Sequence, residues 1–334
     1  MPDTEHLTLE QIHALARACL MDNGCDQANA DAVASTVTHA ERDGSVSHGL
    51  FRIPGYVAAL RSGKVDGAAA PRTERLSPAL IRVDGGGGFA PRALQHGIPL
   101  VAQAAEQCGV AALALVRVHH FAALWHETEA LAARGLAALA CTAYMPAVAP
   151  AGARRALFGT NPVSFAWPRP DDTPVVFDMA TASMAMGEVQ IAARDGHQVP
   201  PGTGLNAAGE ATTDPASIAD GGVLLPFGGY KGSVISMMIE LLAAALIGER
   251  FSFEAAEADN QDGGPPRGGE FILALSPQRM AGDDWAGHAA GLFERLGQLD
   301  GARLPGQRRH TRRHDRGARA VNAALVEKIR GLCK

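Results

Sequence analysis

The distribution of periodic segments constrains the fold most, because helical patterns occupy both ends of the chain and short strand patterns lie between them. The first helix, over residues 8–24, opens with the threonine and glutamine spacing of a capping box. A second is predicted over residues 26–42, and a third from Ser47 with a kink at Pro54. Since 334 residues exceed the length of about 250–300 at which one hydrophobic core stops growing, two or more subdomains are expected.

The rest of the chain alternates short strands and helices around a loop-rich segment, residues 141–226. The predicted strands cover residues 80–83, 110–116, 174–177 and 271–275, and the further predicted helices cover residues 92–107, 232–248 and 319–332. The middle of the chain is therefore expected to form a sheet domain.

Composition excludes several classes of protein. Apolar residues make up 47% of the chain and charged residues 19%, as in a soluble globular protein. The longest apolar stretch, residues 236–248, contains Glu240 and is too short to span a bilayer. The N-terminal segment lacks a basic region followed by an apolar one, so a cytoplasmic protein is expected. Five scattered cysteines without a CxxC pair are interpreted as reduced core residues rather than disulfides or a zinc site.

The segment GSVSHGLFRIPGY, residues 44–56, is the first candidate site. If Ser47 caps a helix, His48 lies in its first turn and Arg52 projects from the same face. Arginine binds a carboxylate through two parallel hydrogen bonds, and a histidine that titrates near neutrality can transfer a proton to an adjacent atom. The alternative is an ordinary helix start that carries a surface histidine and arginine.

Two further segments place polar groups at the start of a helix. In VRVHHFAALWHE, residues 116–127, three histidines suggest a metal, but no carboxylate or cysteine arrives at ligand spacing, so we expect none. In LLPFGGYKGSVISMM, residues 224–238, Lys231 is followed by Gly232, which departs from the Walker pattern. Both helix starts could still bind a phosphate through backbone N–H groups, and the alternative for the second is a plain helix start.

A glycine string, GGGGFA at residues 85–90, follows a predicted strand and precedes a helix. It is a loose GxGxxA, and Arg117 stands where an NADP-type Rossmann site places its phosphate partner, but a lone glycine string is weak evidence. A second match, GTGLNA at residues 202–207, follows two prolines and is interpreted as a turn.

The arginine-rich segment RLPGQRRHTRR, residues 303–313, is a local basic excess in a chain of net charge −5. It could be a solvated basic face or a nucleic-acid contact, but it has no aromatic residue for base stacking and the chain is acidic. A third use is to bind one phosphate, such as the 2′-phosphate of NADP, with arginines presented from a loop that Leu304, Pro305 and Gly306 would supply.

Taken in order, six segments resemble the malate/L-lactate dehydrogenase type 2 superfamily over nearly the whole chain: SHGLFRIPGYVAAL, HHFAALW, LFGTNPVSFAWPRP, VVFDMATASMAMGEVQIAAR, LLPFGGYKGS and RLPGQRR. Within it, the chain most resembles the Δ1-piperideine-2-carboxylate/Δ1-pyrroline-2-carboxylate reductases. The malate, ureidoglycolate and diketogulonate branches usually show a basic residue where Glu188 stands. The compared reductases usually have Asp there, a His where Tyr230 stands, and an Asn-Ser stretch where Ala143, Tyr144 and Met145 stand.

The resemblance implies a set of site residues and an NADPH site unrelated to the Rossmann fold. His48 would donate a proton, with Ser47 and Glu188 as its relay partners, and Arg52 would bind the substrate carboxylate. Thr160, Met186 and Gly187 would also touch substrate. The cofactor would lie against His120, Phe121, Ala122, Ala123 and Leu124; Asp178, Met179 and Ala180; Tyr230 and Lys231; and Arg303, Leu304, Pro305, Gly306, Gln307, Arg308 and Arg309.

We therefore expect an α+β enzyme in which a helical domain, built from the N-terminal and C-terminal helices, packs with a mixed or antiparallel sheet domain for NADPH. The predicted domains are residues 1–62 with 315–334, residues 63–118 with 270–314, and residues 119–269. The resemblance implies reduction of cyclic ketimine carboxylates to L-pipecolate or L-proline by a homodimer. The residue patterns described above lead us to expect no metal, membrane or nucleic-acid partner. The alternative is a 2-hydroxyacid dehydrogenase of the same superfamily, and the sequence leaves ring size open.

Overall fold

The computed structural model describes residues 3–121, 123–170 and 172–333. Its helices are α1 Leu9–Asp22, α2 Gln27–Asp43, α3 Ile53–Arg61, α4 Ala90–Cys108, α5 Trp125–Ala132, α6 Met186–Asp195, α7 Pro215–Ala219, α8 Tyr230–Glu240, α9 Ser252–Glu257, α10 Pro277–Ala281, α11 Trp285–Gly297, α12 Gln307–His314 and α13 Ala323–Leu332. Its strands are β1 Thr4–Leu7, β2 Arg72–Ser77, β3 Leu80–Asp84, β4 Val110–His119, β5 Ala137–Thr142, β6 Val163–Trp167, β7 Val175–Met179, β8 Gly204–Leu205, β9 Ala211–Thr212, β10 Val223–Leu224, β11 Arg267–Leu275 and β12 Arg319–Asn322.

The two ends of the chain form one helical layer. Strand β1 pairs antiparallel with β12, from Thr4 opposite Asn322 to Leu7 opposite Arg319. Apolar side chains of α1, α2, α3 and α13 share a single core, which includes Ile12, Leu20, Val33, Ile53, Val326 and Ile329. The capping box is present, since Thr8 accepts from the backbone of Gln11 and the Gln11 side chain accepts in return. The predicted starts of the first two helices are thus confirmed.

The central layer is a seven-stranded sheet in the order β2-β3-β4-β11-β5-β6-β7. Only the β3–β4 pair is parallel among the described residues, and α4 makes the crossover between these two strands. Buried aliphatic side chains of α4, β3, β4, β5 and β11 form its core. Helices packed against a mixed sheet confirm the α+β part of the predicted fold class, whereas a cofactor domain of non-Rossmann type stays a prediction. The glycine string lies in the tight connection between β3 and α4.

The third helix was predicted to start at Ser47, and this prediction is wrong. Residues 46–52 form two short 3₁₀ turns, Val46–His48 and Leu50–Arg52, and α3 begins only at Ile53. Pro54 lies in the first turn of α3, where its missing N–H has no partner to lose, so it starts the helix instead of kinking it.

Two later predictions also need correction. Residues 319–322 form β12 rather than a helix, because they pair with β1, and Asn322 then caps α13 by accepting from the backbone N–H of Leu325 (2.9 Å). The helix predicted over residues 232–248 starts earlier, at Tyr230, and continues past Glu240 as a π-helical turn, Leu241–Ala245. Within the described residues, no helix is long and apolar enough to cross a bilayer.

Candidate active site

A cavity of about 700 Å³ lies between the two 3₁₀ turns of the helical layer and the start of α6. This volume is typical of a small-molecule site. The cavity, called the catalytic cavity below, is lined among others by Ser47, His48, Arg52, Phe121, Tyr144, Thr160, Asp178, Met179, Ala180, Met186, Gly187 and Glu188. The structure therefore brings together all seven residues predicted to carry out catalysis or bind substrate.

His48 ends the first 3₁₀ turn and lies next to Ser47. The hydroxyl oxygen of Ser47 is 3.1 Å from Nδ1 of His48, and Ser47 is buried. A hydrogen bond at Nδ1 orients the imidazole ring in the wall of the catalytic cavity. Although residues 47–52 are not an α-helix, His48 and Arg52 both line the catalytic cavity as the spacing suggested.

Glu41 is a buried carboxylate, not predicted from the sequence, that binds the second 3₁₀ turn. Oε1 of Glu41 accepts the backbone N–H of Leu50 at 2.7 Å. A Cβ at Gly49 would lie 2.0 Å from the same oxygen, so only glycine allows this contact. Burial raises the pKa of Glu41 to about 7, although the bond from Leu50 opposes that shift. Glu41 thus fixes the segment that joins His48 to Arg52.

Arg52 is held by aromatic rings, and no acid among the described residues is recorded in an ion pair with it. Its guanidinium carbon lies 4.6 Å from the centroid of the Phe121 ring and 5.4 Å from that of Phe51, within cation–π range. Burial lowers its pKa, and its Nε has no hydrogen-bond partner among the described residues. An arginine that is oriented but not neutralised is suited to bind a carboxylate from a ligand.

Another part of the wall of the catalytic cavity is formed by the first turn of α6 and the end of strand β7. A Cβ at Gly187 would lie 2.8 Å from Nη2 of Arg52 and 3.2 Å from Cβ of Ser47, so the helix can approach both residues only with glycine here. Glu188, the next residue, is exposed in the first turn and lines the catalytic cavity. The cavity therefore presents an imidazole, a guanidinium and a carboxylate to one space.

A second cavity, of about 500 Å³, adjoins the first and is called the arginine cavity below. The two share Gly44, Ser45, Asp178 and Arg309. The arginine cavity is lined by all seven residues from Arg303 to Arg309 and by Arg312. Helix α12 begins at Gln307, so the predicted arginine loop is a turn that leads into a helix N-terminus. Arginines and a helix N-terminus together favour a bound phosphate.

Asp178 and Arg309 mark the junction of the two cavities. Asp178 accepts the backbone N–H of Trp125 at 3.1 Å, and burial raises its pKa to about 6. Arg309 donates to the carbonyl of Val176 at 3.2 Å, and its guanidinium lies 4.9 Å from the centroid of the Trp125 ring. These contacts hold α12 and the start of α5 against strand β7.

The family model for malate/L-lactate dehydrogenase matches residues 7–330. The chain belongs to the malate/L-lactate dehydrogenase family. It is 44% identical over 322 residues to a Δ1-pyrroline-2-carboxylate/Δ1-piperideine-2-carboxylate reductase of Pseudomonas putida. The aligned region covers 96% of this chain and 94% of that relative. A protein of the same name from Pseudomonas aeruginosa is 45% identical over 316 residues, 94% of each chain.

Solved structures of the family agree. The crystal structure of Δ1-piperideine-2-carboxylate reductase from Pseudomonas syringae superposes with a TM-score of 0.92 at 42% identity, covering 98% of this chain and 100% of that one. The sulfolactate dehydrogenase of Methanocaldococcus jannaschii superposes with a TM-score of 0.86 at 25% identity, covering 98% and 96%. These comparisons confirm the predicted membership and its resemblance to the ketimine reductases.

Not all the cofactor residues inferred from the family resemblance line the two cavities. His120, Ala123 and Leu124 are buried and are not among the described residues that line either cavity, and Ala122 lies outside the described residues. Tyr230 and Lys231 are exposed at the start of α8 and are not among the described residues that line either cavity. The roles of these residues stay predictions.

A cluster of three buried polar side chains joins the segment after β4, helix α5 and strand β11. His120, Glu127 and Glu270 bring one ligand atom each within 4.8 Å of one another, with Nε2 of His120 3.9 Å from Oε1 of Glu127. The expectation that no carboxylate approaches these histidines at ligand spacing is therefore wrong, because β11 supplies Glu270 from a distant part of the chain.

The same burial decides the protonation of this cluster. It raises the pKa of Glu127 to about 8 and that of Glu270 well above its ordinary value, and it lowers the pKa of His120 to about 4. Burial therefore favours the neutral form of each of the three groups. The absence of a metal here stays a prediction from the sequence.

Proposed function

We propose that this chain is an NADPH-dependent reductase of cyclic ketimine carboxylates, forming L-pipecolate from Δ1-piperideine-2-carboxylate and L-proline from Δ1-pyrroline-2-carboxylate. The names of its relatives support this substrate class. The observation that carries the proposal is that Glu188 of α6 lines the same cavity as His48 and Arg52. An acid beside a histidine favours the imidazolium, which is the form that donates a proton.

Different residues of the catalytic cavity have different roles in the proposed imine reduction. Arg52 binds the substrate carboxylate through its two terminal nitrogens, which places the adjacent C=N carbon and nitrogen in the cavity. His48 donates its proton to the imine nitrogen, because a protonated imine accepts a hydride more readily than a neutral one. Bound NADPH supplies the hydride to the carbon of that bond. Ser47 keeps the imidazole oriented throughout.

The arginine cavity fits the phosphate-rich part of NADPH. Arg303 and Arg308 are exposed on its wall, whereas Arg309 is half-buried and its Nε has no hydrogen-bond partner among the described residues. NADPH has a 2′-phosphate that NADH lacks, and each charge-assisted hydrogen bond to it contributes roughly 1.5–3 kcal/mol, about tenfold to a hundredfold in affinity.

The double variant Arg303→Ala with Arg308→Ala tests this preference. It should reduce the ratio of kcat/KM for NADPH over NADH by at least about tenfold for the reason just given. Arg316→Ala is the matched control, because Arg316 is exposed but is not among the residues that line the arginine cavity. An unchanged ratio in the double variant would overturn the assignment of this segment. Arg309 is left intact because it also braces β7.

The decisive assay follows NADPH oxidation with a panel of substrates: both cyclic ketimines, pyruvate with methylamine, pyruvate alone and oxaloacetate. We expect turnover of the ketimines to exceed that of the 2-oxoacids, and His48→Ala to lower it by about 10² to 10⁴ in rate. Faster turnover of oxaloacetate or pyruvate would favour the 2-hydroxyacid dehydrogenase alternative. Reduction of pyruvate only when methylamine is present would extend the substrate class to linear imines.

A homodimer is the proposed assembly. Five large apolar side chains on α8 and the turns after it are between 42% and 73% exposed: Tyr230, Met237, Met238, Leu241 and Leu246. Exposed large apolar side chains concentrated in one segment support an interface between subunits. Light scattering should give a mass of twice 34.7 kDa, and Leu241→Glu should lower it towards a single chain. A monomeric wild-type protein would contradict the proposal.

A further inference from the structure

Tyr144 is held firmly in the wall of the catalytic cavity. It follows β5, and its backbone N–H donates to Oδ1 of Asn161 at 3.2 Å. Asn161 is buried and donates in turn to Glu240 at 2.8 Å. A Cβ at Gly159 would lie 2.4 Å from the carbonyl oxygen of Tyr144, so the two backbones are in close contact. The backbone of Tyr144 is therefore held in place at this point of the cavity wall.

Tyr144 borders both the catalytic cavity and a small void next to it. The void measures about 10 Å³, enough for about one water, and is lined by Thr142, Ala143, Ser252 and Glu270 among others. Of the described residues lining the two spaces, Tyr144 alone is common to both. Tyr144 also packs against the core of the helical layer.

Tyr144 shares the catalytic cavity with Arg52, the proposed anchor of the substrate. Both residues line this space, so both border the volume that a bound substrate would occupy. A substrate held at its carboxylate by Arg52 has its ring atoms confined by the surfaces around that arginine. Phe121 fixes Arg52 from one side, and Tyr144 adds a rigid aromatic surface to the same region.

We infer that the side chain of Tyr144 is the size limit of the substrate site: it closes the cavity beside Arg52 and restricts the enzyme to small-ring cyclic ketimine carboxylates. The inference rests on the proposed function and names the residue that sets its ring-size range. The chemistry of reduction is unchanged, since proton and hydride still reach the same C=N bond. What changes with residue 144 is the room for methylene groups on the far side of that bond.

The test compares cyclic ketimine carboxylates with five-, six- and seven-membered rings. One methylene in a tight apolar pocket changes kcat/KM by about 10-fold to 200-fold. Tyr144→Ala and Tyr144→Leu should raise the ratio of kcat/KM for the seven-membered over the five-membered ring by at least about tenfold. Tyr144→Phe, which keeps the ring, should leave the ratio unchanged. Phe253→Ala, which removes an exposed aromatic ring outside both cavities, is the matched control.

The outcomes separate this inference from the proposed function. If the wild type reduces no ketimine, the proposed function fails. If the wild type reduces ketimines but Tyr144→Leu, folded and binding NADPH with an unchanged Kd, keeps the wild-type ratio, the size limit lies elsewhere and this inference is overturned. If Tyr144→Phe shifts the ratio as far as Tyr144→Leu, the hydroxyl and not the ring is responsible, which also overturns it.

Discussion

The hydrogen bond from Leu50 to Glu41 allows a direct test of what positions the segment between His48 and Arg52. Glu41 is 5% exposed, and burial raises its pKa from an ordinary value of 4.5 to about 7. Because the folded-state pKa is raised, the stabilising neutral form is complete below about pH 4.5 and is lost as the pH rises through 7. The ionised form should then cost about 3 kcal/mol of unfolding free energy.

Two substitutions separate this titration from the positioning of the turn. Glu41→Gln keeps a carbonyl that accepts the Leu50 N–H and removes the charge. Its stability relative to the wild type should therefore rise by up to about 3 kcal/mol between pH 5 and pH 8, with kcat/KM nearly unchanged. Glu41→Ala leaves that N–H buried without a partner, which costs about 1–3 kcal/mol, and should lower kcat/KM about tenfold or more because His48 and Arg52 lose alignment.

The assays are urea unfolding at several pH values and ketimine reduction by the folded variants. Glu249→Ala is a matched control, since Glu249 is also buried and accepts a backbone N–H, from Arg117 at 2.7 Å, but is not among the residues that line either cavity. It should lose stability without losing activity. The reasoning is refuted if Glu41→Gln loses as much activity as Glu41→Ala, or if the stability of Glu41→Gln follows the pH dependence of the wild type.

Three further outcomes are expected. Arg52→Lys should lower kcat/KM for the ketimine strongly and leave the Kd of NADPH unchanged, since an ammonium cannot form the paired bonds of a guanidinium; equal damage to both constants would make Arg52 structural. Glu188→Gln should shift the alkaline limit of ketimine reduction to lower pH, because it removes the anion that favours protonated His48, and an unshifted profile would exclude Glu188 from the relay. Glu127→Gln should flatten the loss of stability as the pH rises from about 4.5 towards 8, since Glu127 has a raised pKa in the folded protein. A fall in melting temperature on EDTA treatment would instead show that a cation stabilises the cluster with Glu270.

The sequence predicted correctly those helix starts that depend on a capping residue within the same turn. The capping box of Thr8 and the cap at Asp26 start α1 and α2 as expected, since each is satisfied within its own first turn. Residues 319–322 were predicted as helix because their neighbours are periodic, yet they form β12, and only pairing with β1 more than 300 residues away decides this. Strand pairing over such a distance leaves no local pattern.

The same division applies to the active site. The sequence places His48 and Arg52 together because they are four residues apart, and the motif resemblance adds Glu188. It gives no sign that Phe121 stacks on Arg52 or that Glu41 holds Leu50, since each contact joins separate elements through packing. The motif residues are therefore the ones proposed to carry the reaction, whereas buried groups outside the motifs hold them in position. Ring size depends on such a group as well, because the wall at Tyr144 exists only once β5, the Asn161 contact and the helical core are assembled.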